Sequence, residues 1–477
     1  MMQGRCCRWL AAMGMLGLAA CTLGPRYTRP DIPAPAAWRT GDDRSPTSIA
    51  WPSSDWWRGF QSPRLDELMA QAQSANDDIG VAIAQMREAD AQARIAGAAL
   101  LPSAALSSAA TRQRTLTGLT SGTAQTNGTP GTNGASYNLF TTELSASYQV
   151  DFWGKNRATR DAARLAATAS RFDREVVELT VMTSVATTYF QALALRDRLQ
   201  VAENNLASAE QTLEGLRLEL KVGTVNALDV AQQETVTATL QAVVPPLKQQ
   251  LLQTIDALAI LIGKPPEAVN VAAGTLADLS EPQVSPGLPS ELLARRPDVA
   301  AAEALLAQAN ANVAAARAAF FPSIDLTAAG GYASTALSTL FSPGNRVFAL
   351  TGGLTAPIFQ GGALSGQYEF SKARYAELVA DYHKAVILAF GNTEDALAAL
   401  RETADQLQRQ QDAVAKARRA YELSQAQFHA GTINILTVLS TETALFTAED
   451  ALVQVKFSHL SALISLFSAL GGGWQRT

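Results

Sequence analysis

Two long stretches without proline constrain the fold of this chain more than any other feature of its sequence. They cover residues 155–222 and 362–430, contain little glycine, and are rich in alanine, leucine, glutamine and glutamate. This composition favours helix, and each stretch can form one helix about 100 Å long at 1.5 Å per residue. Helices of that length need lateral partners. Further helical segments are present at 78–101, 226–262, 298–321 and 434–470. The sequence therefore predicts a long antiparallel helical assembly.

An internal duplication explains why these segments come in pairs. Residues 98–103 (AALLPS) match residues 318–323 (AAFFPS), and residues 222–230 (VGTVNALDV) match residues 430–438 (AGTINILTV). The chain thus contains two similar halves. We predict a signal peptide, a lipidated extended N-terminal segment, a first repeat, a linker and a second repeat, with the bounds 1–20, 21–60, 61–270, 271–289 and 290–474.

Short segments of alternating polarity lie between the helical stretches. In residues 139–151, Phe140, Leu144 and Tyr148 share one face, and polar residues such as Glu143 occupy the other. This alternation is typical of a strand with one apolar and one wet side. We predict four strands, near 103–111, 139–151, 323–332 and 347–358. Residues 115–142 carry no charge and are rich in threonine, glycine, serine and asparagine, so they are predicted to form an exposed loop.

Four strands of about ten residues match the length of tilted transmembrane β-strands. Four strands cannot close a barrel, and lipid does not tolerate an open sheet edge, so several chains must share one barrel. A dimer would fill an eight-stranded barrel with side chains, whereas a trimer leaves a lumen, which fits the wet strand face better. The alternative is a soluble sandwich. Aromatic residues near the strand ends favour the membrane interpretation; they are Tyr137, Phe140, Phe152, Trp153, Phe348 and Phe359.

The N-terminus has the pattern of an export signal. Arg5 and Arg8 precede an apolar run at 9–20 that is too short to span a bilayer as a helix. The run ends in LAAC, which resembles a bacterial lipobox with Cys21 as the acylated residue. Thr22 follows it instead of aspartate, which favours the outer membrane over inner-membrane retention. The alternatives are an ordinary signal with a chance cysteine, or an amphipathic helix. Residues 24–57 are predicted to be extended along the surface of the body.

Composition excludes several function classes. The formal net charge is −5, so a nucleic-acid partner is not expected. The three cysteines all lie within the first 21 residues, so disulfides and thiolate zinc sites are not expected in the rest of the chain. The three histidines lie far apart in sequence. The common hydrolase, metalloprotease and phosphate-loop motifs are absent from the sequence. We therefore predict no catalytic residues, no metal and no cofactor, and we expect the protein not to be an enzyme.

Several motifs resemble the TolC-like outer-membrane efflux protein family, and most closely its NodT-type efflux lipoprotein branch. The motifs are Cys21 with GPRYTRP at 24–30, Trp56-Trp57 with Phe60 and Leu65, DFWGK at 151–155, and LPSELLARRPDVAAAE at 288–303 running into FFPS at 320–323. The resemblance implies a homotrimer with a shared twelve-stranded barrel and a trimeric α-helical tunnel. It also implies a passive duct for small molecules such as drugs, docked to a periplasmic adaptor and an inner-membrane transporter.

The resemblance also places functional residues. The helical hairpin tips, which meet the adaptor and surround the periplasmic aperture, fall at Val222, Gly223, Thr224, Ala430, Gly431 and Thr432. Family members often carry aspartates after the second tip, but here Thr437 and Ser440 fill those places. Asp229 follows the first tip, so it joins Thr437 and Ser440 as an aperture candidate. Pro245-Pro246 is expected to break the returning helix of the first half, either as a kink at the mid-belt of the tunnel or as a local interruption.

Two other functions remain open at this point. The same fold serves as the exit duct of type I protein secretion systems, and only the lipoprotein-type motifs favour small-molecule efflux over that function. A lipid-anchored periplasmic coiled-coil scaffold without a barrel is the third possibility.

Overall fold

A computed structural model describes residues 27–39, 51–115, 135–270, 274–284 and 287–476. The predictions of a signal peptide and of acylation at Cys21 lie outside the described residues. The eight α-helices that the described part contains are α1 (Pro63–Ala75), α2 (Asp77–Ala98), α3 (Lys155–Val222), α4 (Ala227–Leu261), α5 (Pro289–Leu292), α6 (Pro297–Ala318), α7 (Ala363–His429) and α8 (Ile435–Ala469). The four strands are β1 (Ser103–Thr115), β2 (Ala135–Val150), β3 (Ser323–Ser334) and β4 (Arg346–Thr355). The predicted long helices are confirmed.

The described chain divides into two compact units that cut across the sequence repeats. The first unit draws on residues 27–29, 88–167 and 304–379 and contains the sheet. The second draws on residues 30–87, 168–303 and 380–476 and contains the main hydrophobic core. Each unit thus takes segments from both halves, and the predicted repeat bounds remain a prediction.

The sheet of the first unit is antiparallel, in the order β1-β2-β3-β4. One face carries a row of hydroxyl side chains across all four strands, formed by Ser103, Ser147, Thr327 and Thr351. The other face carries leucines and aromatic rings, and Leu350, for example, is 79% exposed. The edge strands β1 and β4 pair on one side only within the described residues. Within the described chain, both edges of this sheet therefore lack a partner strand. At the end of β3, Tyr332 contacts Phe341 and Ser334 contacts Thr339.

Three strand boundaries differ from the predictions by three or more residues, the first being the end of β1, which runs to Thr115 instead of 111. β2 begins at Ala135, inside the predicted loop, because it continues to pair with β1, and the Tyr137 hydroxyl donates to Gln113 Oε1 at 2.8 Å. The polar side chains of this segment gave no alternating pattern. β4 ends at Thr355, short of the predicted end, since Pro357 has no N–H to donate to a ladder.

The core of the second unit is built around aromatic rings. Phe60 is fully buried against Phe190, and Trp56 stacks on Phe467 with ring centroids 4.9 Å apart. Trp56 and Trp57 were expected in an extended surface segment, but they form a buried 3₁₀ turn. An extended surface segment would leave the large apolar rings of these tryptophans in contact with water. Burying the rings in the core is more favourable. α8 is long and apolar enough to cross a membrane by length and composition alone. Its buried face instead contributes Leu460, Leu463, Ile464 and Phe467 to this core.

The two halves repeat one close backbone contact. Gly263 follows α4 with φ +65°, and a Cβ placed there would lie 2.1 Å from the Ala75 carbonyl oxygen. Gly471 follows α8 with φ +84°, and its Cβ would lie 2.1 Å from the Arg295 carbonyl oxygen. Only glycine fits both the left-handed backbone and the contact. The duplication is therefore visible in packing as well as in sequence.

The helices of the first hairpin, α3 and α4, are joined at regular intervals. Arg217 bonds Glu234 at 2.9 Å, Gln241 bonds Glu210 at 3.3 Å, and Lys248 bonds Glu203 at 3.1 Å. Each step moves one heptad down α3 and one heptad up α4, which is the spacing of an antiparallel coiled coil.

Pro245-Pro246 lies inside α4 but does not interrupt it, so the expected interruption is wrong. Val244 and Leu247, on either side of the pair, pack against Leu195 and Ala202 of α3. This apolar contact offsets the two backbone hydrogen bonds that the prolines cannot donate.

Candidate functional site

The first hairpin tip is a helix stop followed directly by a helix start. The Gly223 N–H donates to the Leu220 carbonyl at 3.1 Å, and the Thr224 N–H donates to the Glu219 carbonyl at 3.0 Å. Gly223 has φ +81°, which completes a Schellman motif. The side chain of Asn226 then accepts the N–H groups of residues 228 and 229, starting α4. Val222 is 76% exposed, so the tip offers an apolar side chain to a partner.

The second tip reproduces the first bond for bond. The Gly431 N–H donates to the Phe428 carbonyl at 2.8 Å, and the Thr432 N–H donates to the Gln427 carbonyl at 3.0 Å. Gly431 has φ +71°, and Ala430, like its neighbours, is exposed. A Cβ at Gly223 or Gly431 would meet no atom within 4 Å. Glycine is needed at both tips for backbone conformation alone.

The two hairpins share a hydrophobic cluster just behind their tips. Leu213 and Leu216 of α3, Val230 of α4, and Ile435 and Val438 of α8 are among its buried members. Tyr421 of α7 belongs to the same cluster. The relative position of the tips is therefore set by packing that joins all four long helices.

The aperture candidates have distinct local roles. Asp229 accepts the Asn226 N–H at 3.0 Å and completes a capping box at the start of α4. Thr437 takes the equivalent place in α8, where its N–H and hydroxyl both donate to Asn434 Oδ1. Ser440 is exposed. All three lie within two turns of a tip.

A buried polar cluster in the same region was missed by sequence reasoning. Glu442 of α8 is fully buried, and its Oε1 accepts the Tyr421 hydroxyl at 3.2 Å. Gln233 of α4 is also fully buried and donates to the Ala209 carbonyl at 2.9 Å. Burial raises the pKa of Glu442, while hydrogen bonding from Tyr421 and Gln233 lowers it by less. Only the position of Glu442 beside the apolar residues Leu439, Leu445 and Phe446 could have signalled it.

The LARRPDV motif forms hydrogen bonds at the C-terminal end of α8. Arg296 donates to the Ala469 carbonyl at 2.9 Å and pairs with Asp298 through two bonds of 2.9 and 2.6 Å. Arg295 stacks over Trp51 at 4.5 Å. Pro297 is the first residue of α6, where its missing N–H costs nothing.

The DFWGK motif shapes the junction between β2 and α3. The Asp151 carboxylate accepts the N–H groups of Asn156 and Arg157 at 2.9 and 2.8 Å and also bonds the Arg157 side chain. Trp153 stacks on Phe321 and donates its ring N–H to the Pro322 carbonyl at 2.8 Å. The motif therefore ties the start of a long helix to the neighbouring strand β3.

The family model described as outer membrane efflux protein matches residues 68–264 and again 288–472. The chain belongs to the outer membrane efflux protein family. The pyoverdine export outer membrane protein OpmQ of Pseudomonas putida is 39% identical to it over 463 residues, covering 96% of each chain. The toluene efflux pump outer membrane protein TtgF of Pseudomonas putida is 33% identical, covering 96% of this chain and 95% of TtgF.

A solved structure gives the same result for the fold. The open state of the Neisseria gonorrhoeae MtrE outer membrane channel superposes with a TM-score of 0.84 at 28% identity, covering 96% of this chain and 99% of MtrE. The predicted fold class, family and outer-membrane location are confirmed, and the function is outer-membrane efflux. The family is one of efflux channels. Among the described residues, no group of three His, Cys, Asp or Glu side chains can hold a metal ion.

Proposed function

We propose that this protein is the passive exit duct of a tripartite efflux system, working as a homotrimer with a periplasmic adaptor and an inner-membrane transporter. The observation that carries the proposal is the four-stranded sheet of the first unit. It has a row of hydroxyl groups on one face, exposed apolar side chains on the other, and two edges that lack partner strands within the described residues.

The sheet edges determine how many chains must assemble. An unpaired strand edge leaves N–H and C=O groups that lipid cannot satisfy, at several kcal/mol each. Pairing β4 of one chain with β1 of the next satisfies every edge in a closed ring. Three chains give a twelve-stranded barrel, wide enough for a lumen lined by the hydroxyl face. Energy for transport comes from the partner pump, since no catalytic group is proposed for this chain.

The six tip residues 222–224 and 430–432 are the proposed adaptor contact. Each tip is held by its own backbone bonds, is exposed, and is free of crowding around its glycine. Asp229, Thr437 and Ser440 are the proposed aperture residues, because they lie close to the tips. The outer-membrane lipid is the proposed partner of Cys21, whose acyl chains would anchor the N-terminus.

Small molecules are the proposed cargo, in preference to secreted proteins. OpmQ is named for pyoverdine export and TtgF for toluene efflux, two cargos of very different polarity. Similar ducts thus serve unlike solutes, which fits selection of cargo by the pump.

The assembly is tested by single-channel conductance of the detergent-purified full chain, run beside its mass in solution. We expect discrete openings and a mass of three chains, each weighing the 50.5 kDa of the full sequence less the predicted signal peptide at 1–20. A monomer that stays soluble in water once detergent is removed would overturn the shared barrel and restore the scaffold hypothesis.

The adaptor contact is tested by site-directed crosslinking. The described residues contain no cysteine, so Thr224→Cys adds a single reactive group at the first tip. Arg409→Cys, on an exposed face of α7, is the matched control, because the Arg409 side chain is 77% exposed. We expect crosslinks to the adaptor from the tip variant only. Equal crosslinking from both positions would contradict the assignment.

A further inference from the structure

The environment of the Glu442 side chain disfavours the charged carboxylate. The residue is fully buried, and its Oε2 accepts no hydrogen bond. Gln233 Oε1, on the neighbouring hairpin, is also buried without a partner. The described helices behind the tips therefore hold these two unsatisfied buried acceptors. A single proton on the Glu442 carboxyl removes the buried charge and turns its unsatisfied acceptor into a donor.

The cluster joins the two hairpins, because its members come from all four long helices. Gln233 of α4 is held to Ala209 of α3, and Tyr421 of α7 donates to Glu442 of α8. Gln425 in turn donates to the Tyr421 hydroxyl at 2.7 Å, and Tyr421 packs in the same hydrophobic cluster as Leu213 of α3 and Val230 of α4. Tyr421, the donor to Glu442, thus packs against the other hairpin.

Charged groups on the same helices do not compensate a Glu442 carboxylate. Arg217 pairs with Glu234 at 2.9 Å, and Arg418 pairs with Glu449 at 2.7 Å, both in exposed bonds. Tyr421 is the titratable group that faces Glu442, and burial raises its pKa as well. None of the described charged side chains contributes to the pKa shift of Glu442.

A buried glutamate is found at this position in the second repeat and not in the first. Glu234 occupies the position in α4 that Glu442 occupies in α8, yet its side chain is 50% exposed and ion-paired. Leu213 stands in the first repeat where Tyr421 stands in the second. The buried acid and its phenol partner are therefore a feature of the second hairpin.

We propose that protonation of Glu442 controls how tightly the two hairpins pack behind their tips. The neutral acid holds the hairpins together, and the carboxylate loosens them. Glu442 lies about two helical turns, or about 10 Å, into α8, which begins three residues after Thr432. The consequence for the aperture rests on the proposed function, whereas the effect on packing does not depend on it.

The direction of the pH effect follows from the raised pKa. An ordinary glutamate has a pKa of about 4.3. Between that value and the raised pKa, the packed state holds a proton that the open state has lost, so packing weakens as pH rises. The opening equilibrium changes by up to about tenfold per pH unit in this window. Above the raised pKa the packing is weakest and no longer changes with pH.

Hydrogen–deuterium exchange of the detergent-purified full chain tests this proposal. Peptides from residues 205–240 and 415–446 are followed from pH 5 to pH 9, with labelling times scaled for the intrinsic exchange rate. We expect wild-type protection to fall as pH rises. Glu442→Gln, which is neutral at every pH, should give pH-independent protection at the wild-type pH 5 level or above. Glu234→Gln is the matched control and should keep the wild-type profile.

Two results would overturn the proposal. One is a Glu442→Gln profile with the wild-type slope, which would assign the pH dependence to other groups. The other is lower protection than wild type throughout, which would show that the carboxylate stabilises the packing. If Glu442→Gln does not fold, Tyr421→Phe removes a donor that favours the charged form. Its midpoint should then move to higher pH, and an unmoved midpoint contradicts the proposal.

Discussion

Four glycines have a left-handed backbone conformation. Substituting each by alanine allows the stability lost through backbone strain to be separated from the stability lost through steric overlap. Gly223 and Gly431 at the tips have open space where the methyl group of an alanine would lie, whereas Gly263 and Gly471 have a carbonyl oxygen only 2.1 Å from that position. Substitution by alanine imposes the same kind of backbone penalty at all four sites, about 1–2 kcal/mol. The tip variants should therefore lose about that amount of stability and no more.

The other two variants also overlap backbone that cannot rotate away. A carbon atom 2.1 Å from an oxygen is far inside contact distance, so Ala75 or Arg295 must move together with its helix. Overpacking of this kind costs about 1–3 kcal/mol in addition. We expect Gly263→Ala and Gly471→Ala to lose about 2–5 kcal/mol each. Because the two contacts are repeats of one another, the two losses should be similar.

Thermal unfolding of the detergent-solubilised variants measures the difference. One kcal/mol shifts the midpoint by about 2–4 °C in a unit of 150–250 residues, so Gly471→Ala should melt several degrees below Gly431→Ala. Equal shifts for these two variants would refute the argument, since they would show that the close contact with Arg295 carries no energetic cost.

Three further outcomes follow from individual side chains, and a fourth concerns the lipid anchor. Arg198→Lys should lower stability by about 1 kcal/mol, measured by thermal unfolding, since lysine cannot keep both bonds of 2.7 and 3.2 Å to Asp450; an unchanged midpoint would contradict this. Thr437→Asp should raise cation selectivity in bilayer recordings if this residue lines the aperture, and unchanged selectivity would exclude that position. Asp229→Ala should cost about 1 kcal/mol through loss of the capping box; unchanged conductance would limit Asp229 to that structural role. Cys21→Ser should abolish acylation in metabolic labelling with palmitate, and retained label would exclude Cys21 as the anchor.

Local chemistry explains why so much of the fold could be read from the sequence. α3 begins and ends at the predicted residues because proline, glycine and capping side chains act within a turn of where they stand. The tip glycines 223 and 431 were placed by the family resemblance, and their positive φ angles end the helices there. The repeat order of helices and strands followed from a duplication that is visible without any structure. The family motifs at 151–155 and 288–303 form hydrogen bonds at the start of α3 and at the end of α8.

Other features depended on contacts between residues distant in sequence. The continuity of α4 through Pro245-Pro246 comes from packing against α3, and the early start of β2 comes from pairing with β1.

The sequence by itself determined the helices, the hairpin tips, the four strands and the family of this protein, because each depends on propensity, periodicity or motif within a short window. The tertiary structure alone decided which of two repeat-related glutamates is buried. Glu234 and Glu442 lie in similar helices, but Glu442 is fully buried beside Tyr421, whereas the Glu234 side chain is 50% exposed. Burial and the loss of hydration depend on what the rest of the chain places around a side chain, and no local pattern records that.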